Sequence, residues 1–241
     1  MTDLAVEVLG EGDPVVLVHG SGFRDANWSD QSELGGRYRL VLPFRRGYGQ
    51  SPAGDPDFAV DAEDIAGLLD ERAHLVGFSY GGIGVLLAAA SRPEFVRSVT
   101  AIEPPAFGIA AGDPAVQELM ERLGPVFEHA AELTPEQFGA AFGEALGFER
   151  PQEPDADRLS AIESFMQERS PYEAEIPFDK LQGVPVLVVS GGWHPAFDAV
   201  CDVLEQRLGA ERAVLPGKGH AAQHAPGFNE RLLAFWESCA S

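Results

Sequence analysis

The hexapeptide Gly77-Phe78-Ser79-Tyr80-Gly81-Gly82 is the strongest signal in the sequence of this chain. It follows an apolar run at residues 74–78 and precedes a segment with helical spacing at residues 82–90, which places it between a strand and a helix. Its glycines permit a tight turn and a close approach of the helix, while Ser79 is held in a strained turn at the C-terminal edge of the sheet. The motif predicts a nucleophilic serine, and a serine that only serves the turn is the alternative.

Apolar runs elsewhere in the chain predict further strands, buried on both faces of a parallel sheet. They occupy residues 15–18, 38–42, 74–78, 96–102, 184–189 and 212–215. Segments with apolar residues at helical spacing lie between them, at residues 60–69, 82–90, 199–208 and 228–236. This alternation predicts an α/β fold with a doubly wound, mostly parallel sheet.

The alternation stops between residues 104 and 181, where about three amphipathic helical segments follow one another. They span residues 114–130, 135–146 and 155–168. We interpret residues 105–181 as a helical cap inserted into a core domain formed by residues 1–104 and 182–241. Most apolar side chains of the cap are expected to hold its helices together and a minority to line a substrate cavity; the set is Met120, Phe127, Phe138, Phe142, Phe165 and Met166.

The composition limits the partners of the protein. The 241 residues include 17 basic and 38 acidic side chains, and the resulting net charge of -21 repels nucleic acid and anionic membrane surfaces. The acidic residues are scattered along the chain, which favours a contribution to solubility over an acidic tail. We expect a small-molecule partner and a monomer or homodimer.

The cysteines and the N-terminus indicate a cytoplasmic protein. Cys201 and Cys239 lie outside any CxxC or Cys/His cluster, so we expect reduced thiols, no metal site and no cofactor. The first ten residues lack a basic segment followed by an apolar run, and no stretch approaches the roughly 20 apolar residues of a membrane span.

A second candidate for the chemistry is His19-Gly20-Ser21-Gly22-Phe23, which directly follows the first predicted strand. A loop of this kind can donate a backbone N–H to a developing oxyanion, and the residue after the nucleophile can donate another. We assign these donors to Ser21, with Gly22 as the alternative, and to Tyr80. His19 is expected to brace the loop, and a catalytic role for it is the minority interpretation.

A third candidate is His220, in Leu215-Pro216-Gly217-Lys218-Gly219-His220 between the last predicted strand and the last predicted helix. A histidine on this loop can accept the proton of Ser79 and return it to the leaving group. His224 is interpreted as a neighbour of the base. His74, His129 and His194 have no comparable context.

Together these residues resemble the α/β-hydrolase family over nearly the whole chain, with the cap as the least specific part. The segment Phe44-Arg45-Arg46-Gly47-Tyr48-Gly49-Gln50-Ser51 is similar to the Asp-x-Arg-Gly-x-Gly-x-Ser loop of the family. It departs from that pattern at Phe44, where family members often carry aspartate, a change that we interpret as structural. The resemblance implies the order nucleophile, acid, base along the chain.

The resemblance alone does not fix the position of the acid. The family usually carries it in a Gly-x-x-Asp turn after the penultimate strand, but here that turn reads Gly191-Gly192-Trp193-His194-Pro195. An imidazole cannot replace a carboxylate that orients and stabilises a neighbouring imidazolium. Some family members carry the acid at the end of the strand that follows the helix after the nucleophile. Glu103 stands at that position here, so we predict it as the acid. Asp198 is the alternative.

A serine, Ser79, in the turn between strand and helix implies acyl transfer, that is, hydrolysis of an ester or lactone through an acyl-serine intermediate. Thioester or carbon–carbon hydrolysis, a cofactor-free lyase, cyclase or perhydrolase, and a non-catalytic ligand-binding protein are the alternatives. Aromatic residues such as Phe78 favour an apolar substrate. The residues expected to contact it are Gly22, Phe23, Phe107, Phe138, Phe142 and Trp193.

Overall fold

The computed structural model describes residues 2–21, 27–54, 56–148 and 155–239. The described chain contains a seven-stranded sheet in the order β1-β3-β2-β4-β5-β6-β7, in which β1 is antiparallel to β3 and the other pairs are parallel. The strands are β1 Val6–Leu9, β2 Pro14–Val18, β3 Arg39–Pro43, β4 Ala73–Phe78, β5 Val96–Ile102, β6 Val186–Ser190 and β7 Glu211–Val214. The predicted mostly parallel sheet is confirmed, and β1 is an addition to it.

Helices connect the strands as the alternation predicted. They are α1 Phe58–Gly67, α2 Tyr80–Ser91, α3 Pro114–Glu128, α4 Pro135–Leu146, α5 Ala156–Phe165, α6 Pro195–Leu208 and α7 Phe228–Ser238. Shorter 3-10 turns occupy Ser29–Gly36, Pro93–Phe95, Phe107–Ala110, Ala130–Glu132, Pro171–Glu173 and Ala222–His224. Within the described ranges, every helix falls short of the length and apolarity that a bilayer crossing requires.

The sheet separates two layers of hydrophobic core. Along β2, Val16 and Val18 face a layer formed with α1, α2 and α6, whereas Val15 and Leu17 face a layer formed with α7. Alternate side chains of a strand point to opposite faces, so burial of all of β2 requires helices on both faces. The sheet is therefore doubly wound.

Cys201 and Cys239 are both free thiols.

The helices α3, α4 and α5 lie between β5 and β6 in the chain, and we call residues 105–181 the cap segment. Four phenylalanine rings from these three helices pack edge to face or stack, with centroids 4.6 to 6.2 Å apart. They are Phe127, Phe138, Phe142 and Phe165. The division of the chain into a core domain and this cap stays a proposal.

Candidate active site

Ser79 lies in a strained turn between β4 and α2. Its φ is 51° and its ψ is -125°, a backbone region that favours glycine. The neighbouring glycines explain how the turn closes: a side chain at Gly77 would collide with the Gly81 carbonyl, and one at Gly81 would lie 2.6 Å from the Val18 oxygen. The helix thus packs directly onto two strands and leaves Ser79 at the sheet edge.

The structure brings together Ser79, His220 and Glu103. Ser79 Oγ lies 3.0 Å from His220 Nε2, and His220 Nδ1 lies 3.3 Å from Glu103 Oε2. The tautomer protonated at Nδ1 donates to the carboxylate and leaves Nε2 to accept from the serine hydroxyl. Ser79 and Glu103 directly follow Phe78 and Ile102, which pair in neighbouring parallel strands. The three side chains form a hydrogen-bonded relay.

Glu103 is completely buried, and the turn that lacks an aspartate donates to it. Its Oε1 accepts the Gly191 N–H at 2.5 Å, and its Oε2 accepts the Trp193 indole N–H at 2.9 Å. Its backbone φ is 48°, and with Ser79 it is one of two non-glycine residues of the described chain with positive φ. A buried carboxylate needs such donors, because an unpaired buried charge is costly.

Asp198 is engaged elsewhere. Its Oδ1 accepts the Ser190 hydroxyl at 2.5 Å and lies 3.0 Å from Arg212 Nη2. His194 caps the helix that carries Asp198, because its Nδ1 accepts the Ala196 N–H at 3.2 Å, and burial lowers its pKa. The alternative acid therefore forms an ion pair with Arg212 and does not contact His220.

His19 braces its loop. The Arg45 N–H donates to His19 Nε2 at 3.0 Å, so the other ring nitrogen carries the proton and donates to the Gly20 carbonyl at 2.7 Å. Gly20 lies so close to the turn that carries Ser79 that a Cβ atom on Gly20 would approach Ser79 Cβ at 2.8 Å. The next residue, Ser21, lines the same cavity as Ser79.

Tyr80 is the first residue of α2, so its N–H has no partner within the helix and points toward the N-terminal end, where partial positive charge accumulates. Burial raises the pKa of its phenol, whose hydroxyl donates to the Arg169 carbonyl at 2.9 Å. Ser21 and Tyr80 thus reach the cavity at Ser79 from two places, the loop after β2 and the start of α2. Gly22, the alternative donor, lies outside the described residues.

A cavity of about 480 Å³ adjoins Ser79 and His220. Its described lining is mostly apolar: Phe78, Pro105, Phe107, Leu123, Phe127, Phe142, Leu146, Phe148, Ile162, Phe165 and Phe197, with Ser21, Asn27, Tyr80, Arg158 and others. Three helices of the cap segment and α6 therefore meet above the serine.

Only some of the predicted substrate contacts line this cavity. Phe107 and Phe142 line the cavity, but Phe138 does not, because it is completely buried among the other cap rings. Trp193 does not line it either, since its indole binds Glu103. Phe23 and Gly22 lie outside the described residues.

Sequence reasoning missed Phe148, Phe197, Leu146 and Arg158. Leu146 follows Phe142 by one helical turn, so its position on the same face of α4 was a usable signal. Phe197 lies in a helix of the core, and no sequence pattern marks it. Among the described residues, no group of three or more His, Cys, Asp or Glu side chains is arranged to hold a metal ion.

Comparison with known proteins gives a consistent result. The chain matches the model of the alpha/beta hydrolase family over residues 15–229. It is 38% identical over 109 residues to a pimeloyl-[acyl-carrier protein] methyl ester esterase of Aeromonas hydrophila, covering 43% of each chain. It is 31% identical over 126 residues to a 2-hydroxy-6-oxo-6-phenylhexa-2,4-dienoate hydrolase of Burkholderia cepacia, covering 47% of this chain and 44% of that protein.

The chain thus matches less than half of the length of these curated relatives. Among solved structures, one described for carboxylesterases of Nitrososphaera gargenis superposes with a TM-score of 0.73 at 18% identity, covering 98% of this chain and 94% of that chain. At this identity the likeness shows the fold alone. The match of the family model to most of the chain shows the family itself: the chain belongs to the alpha/beta hydrolase family.

Proposed function

We propose that this protein is a serine hydrolase that cleaves a carboxylic ester or lactone of an apolar small molecule. The observation that carries the proposal is the relay from Glu103 through His220 to Ser79 at the wall of an apolar cavity. A serine is a weak nucleophile at neutral pH, and an adjacent oriented base is what activates it.

The proposed reaction begins when His220 Nε2 accepts the Ser79 proton as Oγ attacks the ester carbonyl carbon. Glu103 holds the imidazole in the correct tautomer and stabilises the imidazolium. The N–H groups of Ser21 and Tyr80 donate to the carbonyl oxygen as it becomes an oxyanion. His220 then protonates the departing alkoxide, and water hydrolyses the acyl-serine by the same sequence.

The cavity supports the substrate class. Thirteen of the 21 described residues that line it are Phe, Leu, Ile, Ala or Pro, and seven of these thirteen are phenylalanines from the core and the cap segment. Such a wall binds aliphatic or aromatic groups through burial of apolar area, at roughly 25 cal/mol per Å². The name of the Aeromonas relative, a methyl ester esterase, supports the ester bond.

Hydrolysis of a carbon–carbon bond beside a ketone is the second candidate. The name of the Burkholderia relative describes a substrate with a phenyl group next to a ketone, and the aromatic lining suits such a group. Both reactions use the same serine and base. They differ in the leaving group, which is an alkoxide in one case and a carbanion equivalent in the other.

The test combines labelling and turnover. Wild-type protein and Ser79→Ala are incubated with a fluorophosphonate probe and then with p-nitrophenyl esters of increasing acyl length, lactones and a phenyl-substituted dienoate ketone. Labelling and ester turnover in the wild type only, with a loss of at least about 10³ in kcat for Ser79→Ala, would support the proposal. Turnover of the ketone alone would favour the second candidate, and labelling without any turnover would count against both.

We further propose that the protein works in the cytoplasm as a monomer or homodimer. The two free thiols and the net charge of -21, which disfavours anionic membrane surfaces, support this setting. Size-exclusion chromatography with light scattering measures the oligomeric state.

A further inference from the structure

The two residues that we propose as oxyanion donors are both held by the same short segment, which we call the cap return, Glu168 and Arg169. Glu168 Oε2 accepts the Ser21 hydroxyl at 2.5 Å. The neighbouring Arg169 carbonyl accepts the Tyr80 hydroxyl at 2.9 Å. The cap return follows α5. It therefore contacts both proposed donors, Ser21 in the loop after β2 and Tyr80 at the start of α2.

Glu168 is fixed on every side. Its side chain is 1% exposed, and its Oε1 accepts the Tyr48 hydroxyl at 2.7 Å and lies 2.9 Å from Arg45 Nη2. With Ser21 on the other oxygen, both carboxylate oxygens have partners. A buried carboxylate satisfied in this way is rigid, because each displacement leaves a polar group unpaired at a cost of about 1–3 kcal/mol.

Arg45 links this carboxylate to the same loop. Its Nε lies 2.8 Å from Asp61 Oδ2, and its Nη1 donates to the Gly20 carbonyl at 3.1 Å. Burial opposes its charge, but the adjacent Asp61 and Glu168 raise its pKa overall, so it is a permanent cation. The guanidinium and Glu168 therefore bind two consecutive residues of the loop, at Gly20 and Ser21.

These contacts bear on the nucleophile because the loop is in close contact with it. Gly20 admits no side chain against Ser79, so any shift of Gly20 or Ser21 changes the position of the Ser21 N–H relative to Ser79 Oγ. A donor contributes fully only within about 2.7–3.1 Å of the oxyanion, so small shifts have large effects on rate. The Ser21 hydroxyl is itself directed to Glu168, which leaves the backbone N–H as the group available to substrate.

We propose that Glu168 is a positioning residue of the oxyanion site: it acts through the Ser21 hydroxyl, and the adjoining Arg169 carbonyl acts through the Tyr80 hydroxyl. The inference rests on the proposed function, in which Ser21 and Tyr80 supply the donors. It assigns to the cap return the task of setting the geometry in which the transition state is bound.

The test is a double-mutant cycle with Ser21→Ala and Glu168→Gln. Ser21→Ala removes the hydroxyl but neither the backbone N–H nor any buried charge, and the expected result is a kcat about 10-fold lower with KM changed less than about twofold. Ser164→Ala is the matched control, because the Ser164 hydroxyl donates to the Gly47 carbonyl at 2.6 Å and so makes a comparable bond between cap and core outside the oxyanion loop. It should retain wild-type kcat.

The double variant should be no slower than Glu168→Gln alone, because both changes break the same linkage. A kcat for Ser21→Ala within twofold of wild type, or effects that multiply in the double variant, would overturn the inference. If Glu168→Gln does not fold, Ser21→Ala with its control still decides.

The phosphonylation rate of Ser79 by a fluorophosphonate separates this inference from the proposed function. The phosphoryl oxygen occupies the oxyanion site, so the rate should fall about 10-fold in Ser21→Ala even if no ester is turned over. Slow phosphonylation without ester turnover would reject the esterase and retain the positioning role. Full ester turnover with an unchanged phosphonylation rate in Ser21→Ala would retain the esterase and reject the positioning role.

Discussion

At the scale of single residues, the site uses two backbone positions that side chains rarely adopt. Ser79 and Glu103 have φ values of 51° and 48° and follow paired residues at the ends of β4 and β5. Each such residue costs of order 1–3 kcal/mol and persists only where surrounding structure determines it. The sequence could place both at strand ends, but the strain at Glu103 has no motif and became apparent only in the structure.

The acid assignment is tested by comparing Glu103→Gln with Asp198→Asn. Because Glu103 contacts the imidazole of His220 whereas Asp198 pairs with Arg212, Glu103→Gln should lower kcat by about 10³ or more and Asp198→Asn should change it little. Steady-state kinetics measures both, with circular dichroism as the control for folding. The opposite ranking would return the acid to its usual strand, and two small effects would indicate a Ser–His dyad.

A second prediction at this scale concerns pH and stability. Burial raises the pKa of Asp61 to about 6 despite the neighbouring Arg45, and its Oδ1 has no hydrogen-bond partner in the described chain. The folded state therefore binds this proton more tightly than the unfolded state, and the resulting stability, present below about pH 4, is lost as pH rises through about 6.

Relative to wild type, Asp61→Asn should accordingly gain roughly 2 kcal/mol in free energy of unfolding between pH 4 and pH 7. Urea denaturation at several pH values measures this difference. Asp70→Asn, a change at an exposed aspartate, is the control. A difference between Asp61→Asn and wild type that stays constant across this pH range would contradict the prediction.

At the scale of elements, helix ends with local signals were predictable and those set by tertiary contacts were not. The predicted bounds of α4 match the structure because Thr134 and Gln137 form a capping box, Pro135 begins the helix and Gly147, with φ 78°, ends it. The third cap helix was predicted to continue to residue 168, but α5 ends at Phe165. The chain turns there so that Glu168 reaches Arg45, a contact that no local pattern encodes.

The strand β1 was not predicted for a related reason. It has only four residues, none of them fully buried, so it lacks the continuous buried apolar run by which the other strands are predicted. It is defined instead by its antiparallel pairing with β3 at the edge of the sheet. Short edge strands carry most of their determinants in the partner strand.

The cap rings give the prediction at this scale. Phe142 and Phe165 line the cavity, so Phe142→Ala and Phe165→Ala should shift the preference among p-nitrophenyl esters toward longer acyl chains. Phe138→Ala leaves the lining intact but opens a void in a completely buried position, and should lower the free energy of unfolding by about 3–5 kcal/mol.

Profiles of kcat/KM against acyl length and urea denaturation of each variant distinguish the two effects. Unchanged selectivity in both lining variants would mean that the cap segment does not shape the substrate site. A shift in selectivity for Phe138→Ala alone would reverse the roles of the rings.

At the scale of the whole molecule, the topology explains why the relay could be foreseen whereas the cavity lining was foreseen only in part. Parallel strands bring their carboxyl ends to one edge, so Ser79, Glu103 and the loop of His220 were expected to meet there. The rest of the lining depends instead on how three cap helices pack together, and the ion pairs of Arg45 with Asp61 and Glu168 join residues that are distant in the sequence. Those relations are set by tertiary packing and leave no periodic pattern in the sequence.

The charge of the whole molecule gives the final prediction. A net charge of -21 should repel anionic substrates from the entire surface, whereas Arg158 of α5 is the one arginine or lysine among the described residues that line the cavity. For an ester with a distal carboxylate, kcat/KM should therefore rise roughly two- to fivefold from low salt to about 0.5 M salt as the repulsion is screened, while a neutral ester of equal length should change little.

Arg158→Ala should lower kcat/KM for the carboxylate ester relative to wild type at the same salt concentration, because it removes the local attraction at the cavity. The neutral ester should be unaffected. Arg122→Ala, on α3 and paired with Glu118, removes the same charge outside the lining and is the matched control. Equal effects of the two substitutions would mean that only the net charge matters. A salt response shared by both esters would instead indicate a general effect of salt on the protein, because a neutral substrate does not respond to its electrostatic field.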